Sequence, residues 1–153
     1  MTTTAHYSGP GEGARLPMID GVHIVKVSAE DTGGVYEVFE VQALRGPAAP
    51  PHRSPWAATL YLLEGAVTVQ VEGRAFELAA GATISIPAGT ANTFEVTSES
   101  ARFLAFTTGD GAGAFFADFA RTVPIDRPFE EIMPLVLAVT ERNAVTFAEP
   151  AGR

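Results

Sequence analysis

The chain has 153 residues and a formal net charge of −8 at pH 7, which fits one folded domain and argues against a nucleic-acid partner, because phosphate groups would be repelled. Hydrophobic residues make up 46% of the sequence, enough for a packed core, and there is no cysteine for a disulfide or a thiolate metal site. No apolar stretch has the length of a signal peptide or a membrane span. We therefore expect a cytoplasmic protein with no membrane association.

Two regions of different character begin the chain. Residues 1–17 are polar and rich in Gly, Thr and Pro without periodicity, which predicts a flexible N-terminal arm. Residues 18–110 contain many short β-rich runs separated by turn residues, a pattern typical of an all-β sandwich or barrel. The predicted strands are Val22–Val27, Val35–Val41, Thr59–Leu63, Val67–Val71, Ala75–Leu78, Thr83–Ile86, Asn92–Val96 and Phe103–Thr107.

Residues 111–153 are predicted to form a helical extension packed on the barrel. Three phenylalanines between residues 113 and 121 have helical spacing, and residues 126–143 predict a second helix with Pro128 in its first turn. Pro134 lies inside that second helix and is expected to kink or split it.

The segment from Gly46 to Gly65 has the spacing G-x5-H-x-H-x3-E-x6-G, but only its first ligand-type residue, His52, matches the pattern. Ser54 stands in place of the second histidine, and Ala58 stands in place of the glutamate. On a strand, positions two or four apart face the same side, so these three side chains are expected to point into one interior.

A second motif, from Gly81 to Asn92, has the spacing G-x5-P-x-G-x2-H, with Asn92 in place of the final histidine. The two motifs together resemble those of the cupin superfamily, in particular its small single-domain bacterial members with a cupin_2-like conserved barrel. This resemblance implies a double-stranded β-helix, or jelly-roll barrel, followed by one or two C-terminal helices.

The family's metal-ligand positions fall on His52, Ser54, Ala58 and Asn92 of this chain. A divalent transition metal requires several imidazole or carboxylate donors, and this set supplies one imidazole. We therefore expect no metal and no cofactor.

His52 is the candidate catalytic residue, because a desolvated imidazole is mostly neutral near pH 7 and can accept or donate a proton. Ser54 and Asn92 are candidates to hold a carbonyl or enolate oxygen through hydrogen bonds. Trp56, Phe39, Phe94 and Phe106 are predicted to provide apolar contacts to the substrate. No carboxylate is placed by a motif to orient His52, and no nucleophile elbow is present, which disfavours a catalytic triad.

These residues predict a metal-independent enzyme of secondary metabolism that isomerises, cyclises, dehydrates or cleaves a small carbonyl or polyketide-like metabolite. Two alternatives stay open. One is a non-catalytic binding module, and the other is a metal-dependent, quercetinase-like dioxygenase with an irregular ligand set. The expected partners are a small molecule and a second copy of the chain, because cupins commonly cover sheet edges by forming homodimers.

Overall fold

The computed structural model describes residues 4–148 and confirms the predicted jelly-roll barrel with C-terminal helices. Residues 1–3 of the predicted arm and residues 149–153 of the predicted extension lie outside the described residues. The strands are β1 Arg15–Met18, β2 Gly21–Val27, β3 Tyr36–Leu44, β4 His52–Arg53, β5 Ala58–Glu64, β6 Ala66–Val71, β7 Arg74–Ala79, β8 Thr83–Ile86, β9 Asn92–Val96, β10 Ser100–Thr108 and β11 Thr146–Phe147. The helices are α1 Gly111–Thr122 and α2 Phe129–Arg142.

The strands form two antiparallel sheets that enclose the core. The first sheet has six strands in the order β1-β2-β3-β10-β5-β8, and the second has five in the order β11-β4-β9-β6-β7. Alternate residues on each strand face inward, and the inward residues of both sheets meet in one hydrophobic cluster. Phe39 and Leu62 of the first sheet are fully buried there, beside Val67 and Val69 of the second sheet.

The structure differs from the predicted flexible arm, because Arg15–Met18 forms β1 and pairs with β2. Residues before β1 also contact β2: the Lys26 ammonium donates hydrogen bonds to the carbonyl oxygens of Gly9 and Glu12 at 2.8 and 2.7 Å. The short strand was missed in the sequence because four residues with Pro17 among them show little alternation.

The β1–β2 hairpin turns through Ile19 and Asp20, since Met18 and Gly21 form its closing pair. Gly21 has a φ of 143°, and a Cβ atom there would lie 2.7 Å from the carbonyl oxygen of Gln42. Only glycine fits this position without displacing β3, so Gly21 fixes where Asp20 is placed.

Helix α1 begins directly after β10 and is attached to the barrel by a buried carboxylate. Oε1 of Glu37, whose residue is 3% exposed, accepts a hydrogen bond of 3.0 Å from the backbone N–H of Gly113. This bond satisfies one of the free N–H groups at the start of a helix whose own N-cap residue, Asp110, makes no side-chain cap. Burial raises the pKa of Glu37, against the opposing effect of the Gly113 bond.

Helix α2 runs without interruption through Pro134, so the predicted split of this helix is wrong. Pro134 is the sixth residue of α2, so the helix lacks one backbone hydrogen bond there and is otherwise continuous. The two helices are joined by Asp118, which accepts hydrogen bonds of 2.7 and 2.6 Å from the Arg142 guanidinium. Between residues 4 and 148, no helix is long and apolar enough to cross a membrane.

Candidate active site

Two adjacent cavities lie at the end of the barrel that α1 and α2 cover. The barrel chamber, about 100 Å³ in volume, is enclosed by both sheets, and the helix chamber, about 90 Å³, lies between the barrel, the helices and β11. Five residues line both chambers, and we call them the waist: Asp20, His23, His52, Phe115 and Phe116. Most other lining residues are apolar, so the titratable groups of these chambers are concentrated at the waist.

His52 lies on β4, where it pairs with Asn92 of β9 and Phe147 of β11. Its side chain is half-buried at the waist, while the next residue, Arg53, turns outward to an ion pair of 2.8 Å with Glu72. Burial lowers the pKa of His52 below 6.5, although the Asp20 carboxylate and a hydrogen bond to the backbone of Pro50 act in the opposite direction. The imidazole therefore stays neutral to a lower pH than an exposed histidine.

The structure places Ser54 and Ala58 in the wall of the barrel chamber with His52, as their spacing predicts. Asn92 also lines this chamber, but its amide Nδ2 donates to the backbone oxygens of His52, at 3.4 Å, and Thr90, at 3.1 Å. The amide hydrogens are thus engaged with the protein backbone. This differs from the predicted contact of Asn92 with a substrate oxygen, because Asn92 instead helps to hold β4 in place.

Of the four aromatic residues predicted to contact substrate, Trp56 and Phe94 line the barrel chamber, while Phe39 and Phe106 do not. Phe39 points inward but is fully buried, with the ring of Phe116 packed edge-on against it at 5.0 Å. Phe106 is 40% exposed, because it lies three residues from the inward-facing Phe103 and so faces the opposite side of β10. The predicted substrate contacts of Phe39 and Phe106 are therefore corrected.

Asp20 and His23 were not predicted as site residues, and the β1–β2 hairpin brings both to the waist beside His52. Nε2 of His23 lies 3.3 Å from Oδ1 of Asp20. His52 is therefore not the only histidine at the wall of the two chambers. The inward position of His23 on a strand was a signal in the sequence, but nothing in the sequence indicated that β2 crosses near β4.

Asp20 is partly buried, and its burial opposes ionisation. The close approach of the His23 ring, at 3.3 Å, and the nearby His52 ring outweigh that effect and lower the pKa of Asp20. The waist therefore contains a carboxylate that stays ionised at neutral pH beside two imidazoles.

Several buried polar atoms around the chambers have no hydrogen-bond partner. Among the described residues these atoms are Oδ1 of Asp20, both ring nitrogens of His23, and Oγ1 of Thr107. Thr107 lines the barrel chamber and is 4% exposed. Since most buried polar groups in proteins are paired, unpaired atoms at a cavity wall indicate a place for polar ligand atoms.

Comparison with known proteins identifies the fold family. The cupin domain family matches residues 39–107, which contain both motifs and most of the wall of the barrel chamber. Residues 39–107 therefore form a cupin domain, and the chain has the cupin fold. A comparison with curated proteins finds none that matches this sequence.

Solved cupin structures share the fold at low sequence identity. KdgF from a Halomonas species is 15% identical, with a TM-score of 0.64 over 72% of this chain and 99% of that chain. An RmlC-like cupin from Shewanella frigidimarina is 14% identical, with a TM-score of 0.62 over 74% of this chain and 99% of that chain. The polyketide cyclase RemF from Streptomyces resistomycificus is 22% identical, with a TM-score of 0.56 over 71% of this chain and 80% of that chain.

The residues at the cupin metal-ligand positions do not fit a transition metal. Ala58 supplies no donor, the Asn92 amide is bonded to backbone oxygens, and His52 is the one imidazole of the set. In the part of the chain that the structure describes, no group of three or more His, Cys, Asp or Glu side chains could hold a metal ion. The chemistry proposed for this site therefore uses no metal.

Proposed function

We propose that this cupin binds a small, largely apolar carbonyl compound and that His52 moves a proton next to its carbonyl group. The observation that carries the proposal is the position of His52: a half-buried imidazole with a lowered pKa, at the junction of two largely apolar chambers. A mostly neutral imidazole in a dry site is suited to general acid–base catalysis near pH 7.

The chemistry needs only groups that this chain contains. His52 removes a proton from the carbon beside the carbonyl, and the electron pair of that C–H bond moves onto the carbonyl oxygen to form an enolate. The Ser54 hydroxyl, in the same wall of the barrel chamber, is the candidate donor of a hydrogen bond to that oxygen. The protonated His52 then returns the proton to the same carbon, to a neighbouring carbon or to a leaving hydroxyl.

Proton transfer next to a carbonyl is the common first step of isomerisation, cyclisation, dehydration and retro-aldol cleavage. RemF, which has the same fold, is described as a polyketide cyclase, and this supports a carbonyl substrate without identifying it. Bacterial secondary metabolism contains many such compounds, and we propose that the reaction belongs to it.

The test is exchange of α-hydrogens for deuterium in aryl ketones, followed by NMR in D2O. Acetophenone, 1-tetralone and 1,2-diphenylethanone serve as probes, because exchange reports enolisation whatever the natural reaction is. We expect exchange of at least one ketone, and we expect His52→Gln to slow it by about 10²–10⁴-fold. The acid limb of the pH profile should lie below pH 6.5, since protonation removes the base and the pKa of His52 is lowered.

The matched control is His6→Gln, because His6 lies in the N-terminal segment and its exposed side chain contacts Ser8 and Lys26 instead of the chambers. This variant should exchange at the wild-type rate. Equal rates in wild type and a folded His52→Gln variant would overturn the proposal. Binding of the ketones without exchange, followed through the single tryptophan, Trp56, would also overturn it and would favour the binding module.

A further inference from the structure

Residues 4–148, which the structure describes, provide no well-formed hydrogen bond to the buried ring of His23. Its side chain is 8% exposed, and neither Nδ1 nor Nε2 has a hydrogen-bond partner of good geometry. The ring packs edge-on against Phe116, with 4.3 Å between ring centroids, which holds it in place without satisfying either nitrogen. An imidazole that is buried with unmet hydrogen bonds destabilises the fold, so its retention at a cavity wall indicates a ligand contact.

Asp20 supports His23 only in part. The distance of 3.3 Å between Nε2 and Oδ1 allows charge attraction, but both atoms remain without a well-formed hydrogen bond. The carboxylate favours a ring hydrogen on Nε2, so the other ring nitrogen of His23 is left for a ligand atom. That nitrogen accepts a hydrogen bond from a hydroxyl, and a carbonyl oxygen in the same place shifts the ring hydrogen to it, so that it donates instead.

The shape of the cavities adds a second constraint. The waist lies between a barrel chamber bordered by Trp56 and Phe94 and a helix chamber bordered by Phe119 and Phe147. A ligand that fills both chambers has an apolar part on each side of the waist. Its polar group is then held between those parts, where His23 and His52 both lie.

We propose that the ligand of this site is a two-lobed, largely apolar molecule with an oxygen group between its lobes, and that His23 binds this oxygen. Asp20 is a positioning residue that acts through His23. The inference rests on the proposed function in taking the two chambers as the ligand site, and it assigns oxygen binding to His23 and proton transfer to His52.

The binding test compares three probes. 1,2-Diphenylethanone has two rings with a carbonyl between them, 1,2-diphenylethane has the same rings without the oxygen, and acetophenone has one ring with a carbonyl. NMR titration of the 15N-labelled full chain measures each dissociation constant. We expect wild type to bind 1,2-diphenylethanone about tenfold or more tightly than either of the other compounds.

The His23→Phe variant keeps an aromatic ring against Phe116 and removes both ring nitrogens. We expect this variant to lose about tenfold in affinity for 1,2-diphenylethanone and to bind 1,2-diphenylethane as wild type does. The pair of compounds separates the possible roles of His23. A loss confined to 1,2-diphenylethanone reports the missing ring nitrogens, whereas a purely structural role for His23 would weaken binding of both compounds alike.

Asp20→Asn is the second variant, and it serves if His23→Phe does not fold, because Asp20 lies in a partly exposed hairpin turn. It should weaken binding of 1,2-diphenylethanone several-fold and lower the pKa of His52 measured by NMR, since the Asp20 carboxylate raises that pKa. His6→Phe is the matched control for His23→Phe and should change neither affinity.

Two results would overturn this inference: wild-type affinity of the His23→Phe variant for 1,2-diphenylethanone, or equal affinity of wild type for all three probes. Both are binding results and are independent of hydrogen exchange. If the probes are discriminated as expected but no exchange occurs, the inference about the ligand stands and the proposed catalysis by His52 fails. His52→Gln should leave binding of 1,2-diphenylethanone within about threefold, because the loss there is in proton transfer.

Discussion

The two ends of the barrel interior are built from the same alternating strands, yet one end is solid and the other is hollow. At the solid end, Leu62, Val69 and Val96 are between 0 and 3% exposed and pack in the main hydrophobic cluster. At the hollow end, the small side chains of Ser54 and Ala58 line the barrel chamber. Alternation fixes which side chains face inward, and side-chain volume then decides whether the interior is filled.

The strand β5 crosses from one end to the other, so it offers a direct test of this difference. Leu62→Ala removes a fully buried side chain from the packed cluster and should cost about 2–5 kcal/mol of unfolding free energy. Leu60→Ala, two residues away on the same face, borders the chamber and should cost clearly less. Urea unfolding of both variants measures the difference, and equal losses would show that the chamber is filled in solution.

The helices that cover the hollow end pack through an apolar cluster, and they are also joined by a polar contact that the solid end lacks among the residues named above. Hydrogen bonds from Arg142 hold the pKa of Asp118 well below its usual range, against the effect of burial. Asp118→Asn should therefore cost about 1–3 kcal/mol at pH 7, because charge-assisted hydrogen bonds are lost.

The sign of the pH dependence follows from that lowered pKa. The stabilisation by Asp118 is complete well above its unfolded pKa of about 3.9, decreases as the pH falls past that value, and is lost fully only below the lowered pKa of the folded state. Thermal melts from pH 7 to pH 3 should therefore narrow the difference between wild type and Asp118→Asn at the acid end. Glu131→Gln, which removes an exposed ion pair with Arg127, is the control and should cost no more than about 0.5 kcal/mol. A difference between wild type and Asp118→Asn that stays constant with pH would contradict this prediction.

The smallest expected effect concerns an unpaired hydroxyl at the hollow end. Thr107→Val keeps the shape of the side chain and removes an Oγ1 that has no hydrogen-bond partner. We expect an unchanged or slightly raised unfolding free energy, by up to about 1 kcal/mol, because no bond is lost and a buried polar atom is removed. Thr93→Val is the control: Oγ1 of Thr93 donates a bond of 2.6 Å to the Ala49 carbonyl, so this variant should be destabilised. A loss in Thr107→Val as large as that in Thr93→Val would mean that the Thr107 hydroxyl is bonded in solution.

Most of the barrel could be predicted from the sequence, because alternation and turn residues are local signals. All eight predicted strands are present within a few residues of their expected bounds, and both helices are present after residue 110. Three strands were missed: β1, β4 and β11 have four, two and two residues, which is too short for a period of two to be seen.

The motif spacing also fixed the wall of the barrel chamber, because His52, Ser54 and Ala58 follow from the two-residue repeat of a strand. The same repeat places Phe106 on the outer face of β10, because Phe106 lies three residues from the inward-facing Phe103. The repeat could not exclude a substrate contact of Phe39, because it places this residue on the inner face of its strand. Only the packing of Phe116 from α1 separates Phe39 from the chamber.

The sequence by itself determined eight of the strands, both helices and the inward position of His52, all of which depend on residues close together along the chain. Only the tertiary structure decided that Asp20 and His23 join His52 at the waist, because a hairpin some thirty residues earlier in the chain lies in the first sheet and comes beside β4 where the two sheets face each other. It also decided that α1 and α2 close the second chamber. Long-range pairing has no local periodicity, and for that reason the complete site could be found only in the folded chain.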